Sequence, residues 1–197
     1  MLISSMECRQ VGELLDRVLP GSKAHFTLEL AQACPGGVEA PCYVLADDGE
    51  KIKVTATGAA ELAAGIGFYF REHCNMVIGW PRGGGSNVFI PSAWPKIGNT
   101  PVVGKRNTPW SYMMNVCTHS YSLVWYSWKD WENFIDWMAL SGINLFLGMT
   151  GQEEIQYRVF EKFGLKDMDI RSWFNGPSLL TWSRGQNEYG HNIAGPL

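Results

Sequence analysis

The sequence predicts an α/β protein, in which short strands alternate with amphipathic helices along the 197-residue chain. Short apolar runs, some alternating and some continuous, are separated by glycine, proline and aspartate, as is typical of strands joined by turns. Other segments carry apolar residues at helical spacing. A composition of 46% hydrophobic and 18% charged residues provides enough apolar material for a buried core.

The first hundred residues predict a small α/β domain with two helices and four or five strands. Helices are expected over residues 6–19 and 57–73, where the apolar residues share one face. Gly65 and Gly67 in the second helix indicate close packing on a sheet. Strands are expected over residues 25–30, 43–46, 51–56, 76–80 and 87–90.

Four prolines between residues 91 and 109 predict an extended linker. We therefore expect one domain over residues 1–100 and a second over residues 101–197. The second part predicts the order β-α-β-α, with strands buried on both faces, and this order requires a parallel sheet with right-handed crossovers. The expected elements are strands at 111–117 and 143–147, helices at 128–140 and 152–163, and a short helix ending at Trp173.

Charge and hydropathy exclude several classes of partner. The net charge is -3 and the basic residues are scattered, so no nucleic-acid surface is expected. No apolar run reaches about 18 residues, so no transmembrane helix is expected, and the first ten residues lack the apolar core of a signal peptide. The chain is expected to bind neither nucleic acid nor membrane.

The five cysteines show no metal-binding spacing, so neither a metal nor another cofactor is expected. An odd number of cysteines excludes a fully paired set within one chain. Cys34 and Cys42 are close enough in sequence to bridge a short loop, but buried free thiols are the favoured interpretation.

Polar and aromatic residues meet where the two strands of the second part end. In parallel β/α folds the functional residues lie at these carboxyl ends. Asn115 offers both a donor and an acceptor to a sugar, although a capping role is the alternative. Cys117 suits a pocket wall, and Trp182 suits either a sugar platform or a hydrophobic plug.

The carboxylates near these strand ends do not form a catalytic pair. Glu153 and Glu154 are adjacent at a predicted helix start, where side chains diverge by about 100°. They are expected to stabilise that helix through its dipole. The acids between residues 130 and 136 are expected to lie on the surface or behind the site.

Longer motifs resemble one family. The runs NVCTHSYSLVWYSW, W-E-x-x-I-D-W-M-A-L-x-G-I-N-L, T-G-Q-E and FNGPSLLTWSR resemble the alpha-N-acetylglucosaminidases, family 89 of the glycoside hydrolases. The resemblance implies a small N-terminal α/β domain and then a TIM-type (α/β)8 barrel, of which this chain holds only the first β/α units. It also implies removal of terminal alpha-linked N-acetylglucosamine from heparan sulfate with retention of configuration, in a lysosomal or secretory location.

The resemblance also fixes which site residues this chain can supply. Retention needs two carboxyl groups about 5 Å apart, and the family carries both as glutamates on later barrel strands. No catalytic residue is therefore expected here. Asn115, Cys117 and Trp182 match substrate-binding positions of the family, whereas His119 stands where the family usually has glutamine.

The implied partner is a carbohydrate with terminal N-acetylglucosamine, and a homo-oligomer of the full-length form is compatible with the sequence. Two other functions stay open. One is a non-catalytic carbohydrate-binding or interaction module that uses the same three residues. The other is an unrelated parallel α/β enzyme with Glu153 as a base.

Overall fold

A computed structural model of the chain describes residues 2–37, 41–80, 82, 84–148 and 150–174. The described helices are α1 (Leu2–Val18), α2 (Ala59–Glu72), α3 (Trp128–Leu140), α4 (Gln152–Lys162) and α5 (Asp167–Trp173). The described strands are β1 (Phe26–Leu30), β2 (Cys42–Asp48), β3 (Lys51–Ala56), β4 (Val102–Lys105), β5 (Tyr112–Met113) and β6 (Leu145–Phe146).

The chain divides into two compact units. The first unit contains residues 1–112 and 128–145, and the second contains residues 113–127 and 146–197. The prediction of a mixed α/β protein is confirmed, and all five predicted helices are present within a few residues of their expected bounds.

A four-stranded sheet in the order β1-β3-β2-β4 forms the centre of the first unit. β3 pairs in parallel with β1 and antiparallel with β2, and β2 pairs antiparallel with β4. The hairpin between β2 and β3 turns at Gly49, whose φ of 61° favours glycine. The strands predicted over residues 25–30, 43–46 and 51–56 are thus confirmed.

The predicted strands over residues 76–80 and 87–90 are wrong. Only one bridge forms there, with two backbone hydrogen bonds between Val77 and Asn87 of 3.1 and 2.7 Å. Val77, Phe89 and Ile90 are exposed, whereas Met76 is buried and Ile78 and Val88 pack against the core. Side-chain packing therefore holds these segments, and their described residues form no longer ladder.

The fourth strand of the sheet comes instead from residues 91–109, which are predicted to form an extended linker. β4 pairs through Val102 and Val103 with the edge of β2. The prolines on either side concealed this short strand, because proline is tolerated next to an edge strand as well as in a linker.

The core of the first unit lies between this sheet and the helices α1 and α2. Phe26 makes edge contacts with Tyr69, Phe70 and Trp94, with ring centroids 5.7, 6.0 and 5.6 Å apart. The buried hydroxyl of Tyr69 donates a hydrogen bond of 2.7 Å to the carbonyl of Pro95, which satisfies its polar end. Burial raises the pKa of Tyr69.

Cys34 and Cys42 form a disulfide, so the expectation of free thiols is wrong for this pair. Their Cα atoms are 5.9 Å apart, a usual separation for a disulfide. β1 and β2 both flank β3, and the turn after β1 therefore returns close to the start of β2. Cys74 is a buried thiol, as expected, and its burial raises its pKa.

Helix α3 packs directly on α2. A Cβ atom added to Gly67 would overlap the carbonyl oxygen of Leu140, at the end of α3. Gly65 does face the sheet as predicted, where an added Cβ would lie 3.0 Å from the Tyr43 ring. Gly67, in contrast, was expected to face the sheet and instead admits the backbone of a second helix.

Two arginines bind the carbonyl groups at the end of α3. Arg71 of α2 donates a hydrogen bond of 3.1 Å to the carbonyl of Leu140. Arg106 donates one of 2.8 Å to the carbonyl of Gly142 and pairs through Nε with Glu61 at 3.0 Å. These bonds satisfy carbonyl groups that a helix end leaves without an intrahelical partner.

Asp136 of α3 is predicted to lie on the surface or behind the site, and the surface alternative is wrong, since the residue is 3% exposed within the first unit. Its two carboxylate oxygens accept hydrogen bonds of 2.7 and 2.8 Å from Arg17 of α1. Those bonds raise the pKa of the Arg17 guanidinium. The apolar periodicity of α3 did not reveal that Asp136 is buried, because its burial depends on contacts with α1 and α2, which are distant in sequence.

The strands β5 and β6 are shorter and more exposed than predicted. The amides of Leu145 and Leu147 donate to the carbonyls of Ser111 and Met113, both at 3.3 Å, so the two strands run in parallel. Leu145 and Phe146 are each 41% exposed. Each strand has only one neighbouring strand in the described part of the chain, whereas burial on both faces needs a larger sheet.

Asp47, at the end of β2, holds the segment that crosses the first unit after Trp94. Its carboxylate accepts backbone hydrogen bonds from Ile97 at 2.9 Å and from Gly98 at 3.1 Å. The bond from Ile97, then that from Gly98 and the charge of Lys96, lower the pKa of Asp47.

Replacement of Gly67 by alanine should destabilise the protein by about 1–3 kcal/mol, because the new methyl group overlaps a backbone carbonyl that cannot rotate away. Gly12→Ala is the matched control in α1, where the methyl group meets only the flexible end of Lys23. It should be neutral or stabilise the helix by up to about 1 kcal/mol. Denaturant unfolding measures both, and equal stabilities for the two variants would contradict the packing.

Asp47→Asn should remove part of the acid sensitivity of folding. The pKa of Asp47 is lower in the folded state, so its contribution is complete above about pH 3.9 and is lost as the pH falls through the lowered value. Thermal unfolding across the acid range should show a flatter pH dependence for the variant and a lower midpoint near neutral pH. Glu50→Gln, at an exposed neighbour, is the matched control for the loss of one carboxylate without these backbone hydrogen bonds.

Candidate functional site

The first strand end lies in the second unit, where the chain turns sharply after β5. Met114 is 7% exposed and has a φ of 148°, in a region that side chains rarely adopt. This conformation directs the backbone out of the ladder at Met113 and into a short 3-10 helix, Val116–Ser120. The predicted strand over residues 111–117 therefore ends four residues early.

Asn115 caps that 3-10 helix. Its Oδ1 atom accepts hydrogen bonds from the backbone amide of Thr118 at 3.1 Å and from the Thr118 hydroxyl at 3.0 Å. The side chain is exposed, and the cap uses its oxygen atom and not its two N–H donors. Asn115 therefore has the capping role that the sequence offered as an alternative. Its side-chain NH2 group takes no part in the cap.

Cys117 lies half-buried in the same 3-10 helix. Tyr121 and Trp125 follow it in the second unit and are 43% and 67% exposed. The first unit contains Trp137, which stacks on Phe134 with ring centroids 5.7 Å apart. The aromatic residues between positions 121 and 137 thus include both exposed rings, such as Trp125, and a packed one, Trp137.

His119 links the first strand end to the second. The residue is 4% exposed, its Nε2 atom lies 3.0 Å from the carbonyl of Leu147, and its Nδ1 atom lies 3.0 Å from the hydroxyl of Thr150. Both strand ends are predicted from the sequence, but this contact between them is not. The signal that could have revealed it is a hydrogen-bonding residue at the carboxyl end of each of two adjacent parallel strands.

The second strand end leads into α4. Gly151 has a φ of 85° and precedes the helix, and Glu153 and Glu154 occupy its first turn, as predicted. Glu154 pairs with Arg158 one turn later, at 2.7 Å. A helix dipole favours both carboxylates at this position.

The remaining predicted site residue, Trp182, lies outside the described residues. Among the residues that the structure describes, no group of three or more histidine, cysteine, aspartate or glutamate side chains could hold a metal ion. Within that same part of the chain, no helix has the length and apolar character needed to cross a membrane.

Two family sequence models match this chain one after the other. The alpha-N-acetylglucosaminidase N-terminal domain matches residues 9–96, and the tim-barrel domain of the same family matches residues 111–197. The human alpha-N-acetylglucosaminidase is 36% identical over 193 residues, which cover 97% of this chain and 25% of that relative. The chain thus spans about a quarter of the length of this curated relative.

Solved structures of a family 89 glycoside hydrolase from Clostridium perfringens have a similar fold. The complex with 2-acetamido-1,2-dideoxynojirmycin aligns with a TM-score of 0.78 and 27% identity, over 91% of this chain and 20% of that chain. The complex with its substrate GlcNAc-alpha-1,4-galactose aligns with a TM-score of 0.77 and 27% identity, over 89% and 19%.

The two matched domains occur in the order that the motifs predicted, and the α/β elements of both are present in the structure. The chain therefore belongs to the alpha-N-acetylglucosaminidase family, glycoside hydrolase family 89, and corresponds to its N-terminal portion.

Proposed function

We propose that this chain supplies the N-terminal domain, residues 1–100, and the first barrel units, residues 101–197, of a retaining glycosidase. The reaction is removal of terminal alpha-linked N-acetylglucosamine, from heparan sulfate in particular. One observation carries the proposal: two parallel strands end side by side in polar segments, and His119 joins these segments. In parallel β/α proteins such an edge forms the substrate site.

The proposed role of these segments is to bind the terminal sugar. Asn115, Cys117 and Trp182 are the proposed substrate-binding residues, and Tyr121 and Trp125 offer exposed aromatic faces of the kind that stack on sugar rings. The clostridial family member is seen in complex with an N-acetylglucosamine-containing disaccharide, which supports this choice of sugar.

The catalytic carboxylates are proposed to lie outside this chain. Retention requires two carboxyl groups about 5 Å apart on opposite sides of the glycosidic bond. Glu153 and Glu154 are neighbours in the first turn of α4, and Glu154 is already paired with Arg158. Adjacent helical positions diverge too far to flank one bond.

A lysosomal or secretory location is part of the proposal. The Cys34–Cys42 disulfide supports it, because such bonds persist in oxidising compartments and are rare in the cytosol.

A second candidate is a non-catalytic carbohydrate-binding module. The exposed Tyr121 and Trp125, close in sequence to the polar residues Asn115 and Cys117, favour it. Such a module needs an aromatic platform and directed hydrogen bonds but no carboxylate pair.

The decisive experiment is a chimera in which this chain replaces the matching 193 residues of the human relative. The chimera should hydrolyse GlcNAc-alpha-1,4-galactose and release the alpha anomer, whereas the 197-residue chain alone should not. Turnover by the chain alone would contradict a catalytic pair outside it. A folded, sugar-binding but inactive chimera would favour the non-catalytic module.

Asn115→Asp in that chimera should separate capping from sugar binding. The aspartate keeps the oxygen that caps the 3-10 helix and loses the N–H donors. Stability should therefore match the parent chimera, while KM for the disaccharide should rise about tenfold, the equivalent of about 1.4 kcal/mol.

Asn115→Ala is the companion variant. It should lose both properties, with a loss of stability of about 1 kcal/mol from the missing cap. Thermal unfolding and steady-state kinetics give the two readouts. An Asn115→Asp chimera with an unchanged KM would show that Asn115 is only a cap.

A further inference from the structure

We propose that His119 is a positioning residue of the sugar site. Its imidazole ring holds Leu147 and Thr150, at the second strand end, against the 3-10 helix that carries Asn115 and Cys117. The inference rests on the proposed function. It assigns a role to His119, which the sequence indicated only as a departure from the family pattern.

The contact with Leu147 fixes which ring nitrogen carries a proton. The carbonyl of Leu147 can only accept a hydrogen bond, so the Nε2 atom, 3.0 Å away, must carry the proton. In the neutral ring, Nδ1 then has a lone pair and accepts from the Thr150 hydroxyl at 3.0 Å. One side chain thus provides a donor to Leu147 and an acceptor to Thr150.

Burial makes this arrangement rigid. His119 is 4% exposed, so water cannot readily replace Leu147 or Thr150 at its ring nitrogens. The Thr150 side chain, in contrast, is exposed at the strand end. With its proton directed to Nδ1, the Thr150 oxygen presents acceptor lone pairs to the site, and these suit a sugar hydroxyl or the N–H of an acetamido group.

The same logic identifies the conservative variant. A glutamine amide offers both a donor group and an acceptor, as the neutral imidazole does. His119→Gln can therefore keep both contacts. His119→Leu has neither group, and Thr150→Val removes the hydroxyl without a change of shape.

The first measurement uses nitrogen-15 NMR of the 197-residue chain near neutral pH. The chain contains four histidines, and His119→Gln assigns the His119 signals by their disappearance. The expected shifts are those of a protonated Nε2 and an unprotonated Nδ1. A protonated Nδ1 in the neutral ring would overturn the inference.

The second measurement titrates free N-acetylglucosamine into the wild-type, His119→Gln, His119→Leu and Thr150→Val chains and follows amide shifts. The Gln variant should bind within about twofold of wild type, and the Leu and Val variants should bind at least about tenfold more weakly. Loss of binding in His119→Leu, with binding retained in His119→Gln, shows that the hydrogen bonds of residue 119 matter and not only the space that its side chain fills.

Two patterns contradict different claims. A wild-type chain that binds the sugar, with equal affinity in a folded His119→Leu or Thr150→Val chain, overturns the positioning role alone. A wild-type chain that binds no sugar, despite the expected ring-nitrogen shifts, overturns the sugar-binding function on which the inference rests. If His119→Leu does not fold, the positioning role is tested by the affinities of Thr150→Val and His119→Gln together with the ring-nitrogen shifts.

Discussion

The first unit depends on the contact between helix α3 and helix α2. The absence of a side chain at Gly67 lets the carbonyl of Leu140 approach the α2 backbone, and Arg71 and Arg106 then donate hydrogen bonds to the carbonyls at the end of α3. One turn before Leu140, the buried Asp136 of α3 forms an ion pair with Arg17 of α1, whose side chain is 35% exposed. Because unpaired buried charges are costly, these contacts act together and allow little freedom in where α3 lies.

Helices were predicted more accurately than strands for a physical reason. α3 was expected over residues 128–140 and is observed as Trp128–Leu140, because helical hydrogen bonds join residues four apart and the apolar period is local. A strand depends on a partner elsewhere in the chain. Val102 found one along the edge of β2, whereas the residues around Val77 found only a single bridge, and local sequence does not distinguish these outcomes.

In the candidate site, too, contacts between residues close in sequence were easier to predict than contacts between separate segments. The cap made by Asn115 involves a residue three positions away, and the sequence suggested it. The contacts of His119 with Leu147 and Thr150, and the disulfide of Cys34 with Cys42, depend on where separate segments meet in space. Long motifs identified the family, since several spaced tryptophans are specific, but they did not show how the two strand ends are joined.

The strained residue at the first strand end indicates how such a site is built. A conformation like that of Met114 costs of order 1–3 kcal/mol, and burial of a methionine side chain returns about 1.5–3 kcal/mol. The strain energy and the burial free energy are of similar size, so the turn is stable only while that side chain stays buried. A glycine would remove the strain but also the burial. Packing of Met114 therefore holds the turn that ends the strand and places Asn115 and Cys117 on a 3-10 helix, where His119 can reach the neighbouring strand end.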